Sequence, residues 1–134
     1  MNHFNVAVKA FIVEGNQVLL TKRSSTDIQS PGHWEIPGGR IHLHEDPKEG
    51  LLREIREELG IEVKILHPIE TDHFVRSDGQ RITMIIFLCT PLSKNIQLSS
   101  EHEDHKWVQL EHAREKIMKE YHFLLDTYEH YFLK

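Results

Sequence analysis

Apolar and polar residues follow one another in a pattern that predicts strands at the start of the chain. β-Branched and aromatic residues cluster over residues 4–13, and apolar residues return over residues 18–21. The polar segment 14–17 between them has the composition of a turn, so these features predict a β-hairpin. Further strands are predicted over residues 62–66, 73–76, 81–90 and 106–110, with a turn at Asp78 and Gly79.

Signals for both ends of a helix enclose the segment after the hairpin. Asp46 is a suitable N-cap, Pro47 suits the first helical position, and Glu49 completes a pattern similar to a capping box. Gly60 suits the left-handed residue that ends many helices. The sequence therefore predicts a helix over Pro47–Leu59.

A second helical region is predicted near the end of the chain, over residues 111–132. Its large apolar residues recur at helical spacing, which is typical of a face that packs on a core. These residues are Ile117, Tyr121, Leu124, Leu125, Tyr128 and Phe132. No repeat, low-complexity tract or linker interrupts the chain, so we expect one domain over residues 1–134.

Composition narrows the classes of protein that the chain can be. Apolar residues make up 39% and charged residues 28% of the 134 residues, as in ordinary globular domains. No apolar run approaches the roughly 20 residues of a membrane span, and the N-terminus lacks a basic segment before an apolar one. We therefore expect a cytoplasmic protein that does not enter membranes. Cys89 is the single cysteine and lies in an apolar run, so we expect a buried thiol.

The charge balance limits the possible ligands. A formal net charge of -5 argues against binding to a nucleic-acid polymer, because such binding requires cations that neutralise phosphates. A small phosphorylated ligand would need a bound cation or a local basic patch. The eleven histidines are scattered without the spacing of a known metal motif, so we expect most of them at the surface.

The predicted helix separates apolar from acidic residues. Leu51, Leu52, Ile55 and Leu59 share one face, while Glu54, Glu57 and Glu58 gather on another. Gly50 lies on the acidic side one turn earlier, where the missing side chain would leave room for something to approach. Taken alone, this pattern is also typical of an ordinary solvated helix. A hard divalent cation would turn the repulsion between the carboxylates into an attraction.

The surroundings of the acidic face favour the metal-binding interpretation. Counted from Gly39, the chain has five residues before Glu45 and seven more before the segment 53–61. That segment reads Arg53-Glu54-Ile55-Arg56-Glu57-Glu58-Leu59-Gly60-Ile61. Residues 39–61 thus resemble the Nudix box at every defined position. The resemblance implies a Nudix-type α/β/α sandwich with a mixed β-sheet between helices, and an enzyme that hydrolyses phosphoric anhydride bonds with Mg²⁺ or Mn²⁺.

The resemblance also implies roles for individual residues. Glu57 and Glu58 would be the main metal ligands, with help from Glu54 and from the backbone carbonyl of Gly38. Glu54 is the first candidate for orienting or deprotonating the attacking water, and Glu57 is grouped with it as catalytic. Arg53 would hold these carboxylates in place, and Glu45 would position the loop and the helix.

Three residues outside the box are further candidates. Glu101, in the acidic segment before Trp107, resembles the additional metal ligand of many family members, although Glu101, Glu103 and Asp104 together also fit a plain charged loop. Arg23 resembles a basic residue that lies near the substrate phosphates, or it is an exposed arginine at a strand end. Trp34 could stack on a base or pack in the core.

The sequence leaves the substrate open. The small chain without large insertions resembles MutT-type enzymes, which cleave nucleoside triphosphates or other compounds linked to a nucleoside diphosphate. Residues 98–102 resemble part of dinucleoside polyphosphate hydrolases, but Ser77 and Asp78 stand where a tyrosine is expected. A non-catalytic nucleotide-binding module of the same fold is a third possibility, although such modules usually lose box glutamates that are present here. We expect a small-molecule nucleotide as the partner, and a monomer or homodimer.

Overall fold

Seven strands and three helices form the part of the chain that the computed structural model describes, residues 4–27 and 31–133. The strands are β1 (Phe4–Glu14), β2 (Gln17–Arg23), β3 (Trp34–Glu35), β4 (Gly38–Arg40), β5 (Val63–Val75), β6 (Arg81–Pro91) and β7 (His102–Gln109). The helices are α1 (Pro47–Leu59), α2 (Leu110–Lys116) and α3 (His122–Phe132), and a 3₁₀ turn at Lys119–Tyr121 precedes α3.

Strand β1 lies at the centre of a mixed sheet with the order β3-β2-β1-β6-β5. It pairs in parallel with β6 from Phe4 to Ile12, and β4 pairs with its other edge. The predicted hairpin is present, but β1 and β2 pair only at Val13–Val18 and Glu14–Gln17 beside the turn. Beyond these pairs β2 diverges to pair with β3 and β7. The pairing of β1 with β2 therefore ends near the turn, and β4 pairs with β1 at the level where β2 has diverged.

The two faces of β1 pack against different helices. Phe11 and Val13 belong to a core cluster with residues of α2 and α3, while Val8, Ala10 and Ile12 belong to a cluster with Leu51, Ile55 and Leu59 of α1. A strand covered on both faces is apolar at nearly every position, and residues 6–13 are apolar here except for Lys9. The predicted α/β architecture, a mixed sheet with helices on its faces, is confirmed.

The predicted limits of α1 are those of the structure. The Asp46 carboxylate accepts hydrogen bonds from the backbone N–H groups of Lys48 and Glu49, at 3.0 and 3.2 Å. Gly60 adopts a left-handed conformation with φ of 67°, and its N–H donates to the carbonyl of Arg56. Both ends of the helix are therefore satisfied by local contacts that the sequence already specifies.

The space beside Gly50 is occupied by the protein itself. A Cβ at Gly50 would lie 2.7 Å from Cγ2 of Ile41 and 2.9 Å from Oε1 of Glu45. The group that approaches Gly50 is therefore a loop of the chain itself. Its missing side chain allows the loop between β4 and α1 to pack directly on the helix.

Strand β5 joins two segments that the sequence predicts as separate strands. The segments 62–66 and 73–76 are parts of one strand, Val63–Val75, which forms an edge of the sheet. Its pairing with β6 shifts between Ile65 and His67 and again between Pro68 and Glu70. These bulges place Pro68 in the strand, where an edge position tolerates the missing N–H.

The helix predicted over residues 111–132 is broken in the middle. Ile117 is extended, with ψ of 145°, and forms a bridge with Trp34, whose carbonyl accepts a hydrogen bond from the N–H of Met118. This contact with β3 replaces helical hydrogen bonds and separates α2 from α3. Of the predicted apolar stripe, residues 117, 121, 124 and 125 are buried, whereas Phe132 is 43% exposed.

Two further expectations concern burial and membranes. Cys89 is buried as predicted, and burial raises the pKa of its thiol to about 12. Among the described residues, no helix is both long and apolar enough to cross a membrane.

We predict that replacing Gly50 by Ala destabilises the protein. Alanine favours an isolated helix by up to about 1 kcal/mol, but here its Cβ overlaps Ile41, and overpacking of this kind costs typically about 1–3 kcal/mol. Urea unfolding should give a lower free energy for Gly50→Ala than for the wild type. In an Ile41→Ala background the same change should cost less, because the overlapping Cγ2 is gone. A Gly50→Ala protein as stable as the wild type would contradict the role assigned to this contact.

Candidate active site

Strand β4 brings two glycines against the acidic face of α1. The N–H of Gly38 donates to Oε2 of Glu58 at 3.0 Å. A Cβ on Gly39 would lie 2.8 Å from Oε2 of Glu54, and a Cβ on Gly38, whose φ is 141°, would lie 2.1 Å from the carbonyl oxygen of Val8. Only glycine allows this approach at position 38, and a side chain at position 39 would displace the carboxylate of Glu54. The structure thus places Gly38 directly beside Glu58 and Gly39 directly beside Glu54.

Arg53 binds three carboxylates at once. Its Nε and Nη2 donate to the two oxygens of Glu45 at 2.7 and 3.0 Å. Its Nη1 donates to Glu54 at 3.2 Å and to Glu57 at 3.0 Å, and Nη2 also reaches the carbonyl of Arg40. The hydrogen bonds from Arg53 lower the pKa of Glu45 to about 2. Arg53 therefore ties the loop before α1 and the strand β4 to the acidic face of the helix.

Glu58 is the most buried carboxyl of the acidic face. Burial raises its pKa to about 9; the positive charge of Lys9 opposes this shift, while Glu54 and Glu101 add to it. Burial likewise raises the pKa of Glu54, against the charge of Arg53. Without a cation, Glu58 thus holds a proton at neutral pH. Glu57, by contrast, is 58% exposed beside Arg53.

A buried layer of charged groups lies behind Glu58. Nζ of Lys9 lies 3.2 Å from Oε1 of Glu35, and Nε2 of His102 and Nε of Arg23 lie 3.0 and 3.1 Å from its Oε2. Burial of Glu35 raises its pKa, but Lys9, His102 and Arg23 together outweigh that effect and hold it at about 2. Glu35 is therefore an ionised carboxylate inside the protein.

Lys9, Glu35 and His102 are not among the site residues that the sequence predicts, whereas Arg23 is. A usable signal is present, since Lys9 interrupts the apolar run of β1 and Glu35 stands between Trp34 and Ile36. His102 is an exception to the expectation that most histidines lie at the surface, because its side chain is only 2% exposed. Its burial depends on β7 pairing with β2, which places it opposite Arg23.

The donor set fits a divalent cation. Ligand atoms of Glu58, Glu101 and His102 all lie within 4.8 Å of one another, and Glu54 and Glu57 adjoin them on α1. His102 Nδ1 is buried without a hydrogen-bond partner. Carboxylate oxygens with an unsatisfied nitrogen are ligands that divalent metal ions accept. Of the acidic segment before Trp107, the structure thus brings Glu101, and not Glu103 or Asp104, to this cluster.

A cleft of about 810 Å³ adjoins the carboxylates. Gly38, Gly39 and Glu101 contribute to its lining, so the cleft and the acidic cluster share a border. Apolar side chains from β5, β6 and the C-terminal segment line the remainder, together with several arginines. The residues of these two kinds are Phe74, Ile82, Met84, Met118, Tyr121 and Phe123, and Arg23, Arg40 and Arg76. A cavity of this size and composition suits a small molecule with an apolar ring and anionic groups.

The two predicted substrate contacts fall in different places. Arg23 lines the cleft, where its guanidinium binds Asp27 at 2.8 Å and lies beside Glu35. Trp34 instead packs on the core cluster of α2 and α3, and Nζ of Lys116 lies 4.5 Å from its ring centre. The position of Trp34 matches the core-packing alternative and not base stacking in the cleft.

Comparison with known proteins agrees with this geometry. The model of the NUDIX domain matches residues 3–128, so the chain belongs to the Nudix family. It is 29% identical over 117 residues to a MutT-like protein of Streptomyces ambofaciens, covering 87% of this chain and 71% of that protein. It is 32% identical over 103 residues to the nucleoside triphosphatase NudI of Klebsiella pneumoniae, covering 69% and 73% of the two chains.

A solved structure extends the similarity to nearly the whole fold. The crystal structure of a MutT protein from Methanosarcina mazei superimposes with a TM-score of 0.81 at 27% identity, covering 96% of this chain and 93% of that one. The chain is therefore a Nudix hydrolase of the MutT-like kind.

The raised pKa of Glu58 makes metal-free stability depend on pH. A carboxyl whose folded pKa exceeds its unfolded value stabilises the fold when protonated, and this contribution disappears as pH rises from about 4.5 towards about 9. Glu58→Gln removes the titration while keeping the shape. In the presence of a chelator, the unfolding free energy of the wild type should therefore fall relative to that of Glu58→Gln, by at least about 1 kcal/mol between pH 5 and 9.

Denaturant titrations at three or more pH values measure this difference. Glu49→Gln, on the same helix but exposed and outside the cluster, is the matched control and should follow the wild type at each pH. If wild type and Glu58→Gln change in parallel, the burial of an uncompensated carboxyl at this position is refuted.

Proposed function

We propose that the chain is a Mg²⁺- or Mn²⁺-dependent pyrophosphohydrolase that acts on nucleoside triphosphates. The observation that carries this proposal is the convergence of Glu54, Glu58 and Glu101 at the border of a cleft large enough for a nucleotide. The similarity to NudI, named a nucleoside triphosphatase, supports the choice of triphosphates over other compounds linked to a nucleoside diphosphate.

The carboxylates would hold the metal ion. We assign this role to Glu54, Glu57, Glu58 and Glu101, with the backbone carbonyl of Gly38. When bound, a divalent cation neutralises phosphate oxygens and lowers the pKa of a coordinated water. Glu54 would orient or deprotonate the attacking water, because it is the half-buried carboxylate beside Gly39 and is fixed by Arg53.

The cleft would bind the rest of the nucleotide. Aromatic side chains from β5 and the C-terminal segment offer apolar surface for a base. Arg40 lines the cleft directly after Gly39, and within the described residues its guanidinium has no ion-pair or hydrogen-bond partner. Arg23 already shares its charge with Asp27 and Glu35, and Arg76 shares its charge with Asp78. Arg40 is therefore the arginine whose charge is available to a phosphate group.

We expect hydrolysis of nucleoside triphosphates to a nucleoside monophosphate and pyrophosphate in the presence of Mg²⁺. Replacing Glu54 by Gln should lower turnover by at least about 100-fold, the scale found when one preorganised electrostatic contact is lost. Ion-exchange chromatography of the products from a nucleotide panel measures both the identity of the products and the turnover of the variant. Reaction in ¹⁸O-water should place the label in a phosphoryl product, because water attacks phosphorus.

The same nucleotide panel distinguishes the proposed activity from the two alternative functions. Faster cleavage of dinucleoside polyphosphates than of triphosphates would identify a dinucleoside polyphosphate hydrolase, and tight binding without any product would identify a binding module. Activity that survives exhaustive chelation, or label found only in a sugar or base, would exclude the proposed chemistry. Glu49→Gln should retain full activity.

Glu101 offers a second test of the site. Because its carboxylate lies in the cluster with Glu58 and His102, Glu101→Gln should lower turnover by about 10- to 100-fold and reduce the Mg²⁺-induced rise in melting temperature. The neighbouring change Glu103→Gln removes the same charge from the same segment and should alter neither quantity. Full activity in Glu101→Gln with loss in Glu103→Gln would show that the wrong acid was assigned.

A further inference from the structure

His102 places an unsatisfied nitrogen beside the acidic cluster. The residue begins β7, and its imidazole lies between two carboxyls in the interior. Nε2 lies 3.0 Å from Oε2 of Glu35, whereas Nδ1 has no hydrogen-bond partner and lies 3.5 Å from Oε1 of Glu58. A buried polar atom without a partner costs free energy, and a bound ion is one of the partners that can satisfy it.

The charges around Glu35 determine which nitrogen carries the proton. Lys9 and Arg23 both lie within 3.2 Å of the Glu35 carboxylate and keep it ionised, so Glu35 only accepts hydrogen bonds. Nε2 of His102 must therefore be the donor in that contact. In a neutral imidazole this leaves Nδ1 with a lone pair, which faces an oxygen of Glu58.

We propose that Nδ1 of His102 is a ligand of the divalent cation together with Glu58 and Glu101, and that the site prefers transition metal ions such as Mn²⁺ and Co²⁺ to Mg²⁺. The proposal rests on the metal dependence proposed above and extends it to a nitrogen ligand outside the Nudix box. One ligand atom from each of the three residues lies within 4.8 Å of the others, Nδ1 itself lies 3.5 Å from Oε1 of Glu58, and Glu101 is the exposed member through which the cluster meets the cleft.

The chemistry of the ligands explains the preference for transition metal ions over Mg²⁺. Mg²⁺ takes oxygen ligands almost exclusively, whereas imidazole nitrogen favours borderline ions such as Co²⁺ and Zn²⁺. A metal-bound histidine commonly donates its other N–H to a carboxylate, which fixes the ring and raises the basicity of the ligating nitrogen. Glu35 provides that acceptor for His102, and its own position is fixed by Lys9.

The competing arrangement is a doubly protonated His102 whose Nδ1–H donates to Glu58. In that case Nδ1 carries a proton and never meets the metal ion. Both arrangements satisfy the same two carboxyls, so the deciding experiment must detect the nitrogen itself and not only the activity.

Pulsed electron paramagnetic resonance of the protein with one equivalent of Mn²⁺ detects such a nitrogen directly. We expect modulation from a coordinated imidazole ¹⁴N in the wild type and its loss in His102→Gln. His105→Gln removes a histidine three residues along the same strand and outside the cluster, so it should keep the modulation. Calorimetric titration should show Co²⁺ affinity reduced at least about tenfold in His102→Gln, with Mg²⁺ affinity changed less than about threefold.

A wild-type measurement keeps the proposal testable if His102→Gln does not fold. In ¹⁵N-histidine NMR with diamagnetic Zn²⁺, we expect His102 to keep its proton on Nε2 and to show a metal-bound Nδ1. A proton on Nδ1 in the metal-loaded protein, or bound Mn²⁺ without ¹⁴N modulation, overturns the proposal. If hydrolysis with Mg²⁺ persists in that case, the proposed function stands and only the nitrogen ligand is rejected.

Discussion

The site depends on holding several carboxylates close together in a partly buried place. Glu54, Glu57 and Glu58 share one helix face, and Glu101 approaches them from the segment before β7. Such a group repels itself and loses hydration, so two cations on opposite sides offset part of the cost. Arg53 acts at the exposed side, and the buried Lys9 acts from behind. In the proposed function, a divalent metal ion supplies the remaining positive charge.

The packing of β4, the loop after it and α1 is matched to the positions of Arg53 and Lys9. Arg53 reaches Glu45 and the carbonyl of Arg40, so the loop after β4 has to pack on α1, and Gly50 makes that approach possible. Lys9 belongs to the central strand β1, at the position that pairs with Gly38 of the neighbouring strand β4. Gly38 and Gly39 then allow β4 to lie between the strand and the helix without side-chain overlap. The contacts of the charged residues thus depend on the glycines that allow this close packing.

The same residues also link the proposed catalytic carboxylates to the cleft. Gly38, Gly39 and Glu101 border both the carboxylates and the cleft, so a phosphate chain bound at the metal would extend directly towards the arginines and aromatic residues. The buried Glu35 is hydrogen-bonded to Lys9 and His102 and forms an ion pair with Arg23, in one layer below this border. Such a layer holds the groups rigid, because each charge in it is paired.

Local signals in the sequence determined the elements whose ends and faces are set by near neighbours. Asp46 and Gly60 specified both ends of α1, and the spacing from Gly39 to Ile61 was enough to indicate the Nudix family and the acidic face. The contacts of Trp34 with the segment 117–118 broke the last helix, and the pairing of β2 with β7 buried His102 beside Glu35 and Glu58. Those outcomes, like the cleft lined by Phe74 and Tyr121, join residues distant in the chain. Only the tertiary structure decided them, because periodicity and capping describe neighbours along the chain and carry no information about which distant strand a residue will meet.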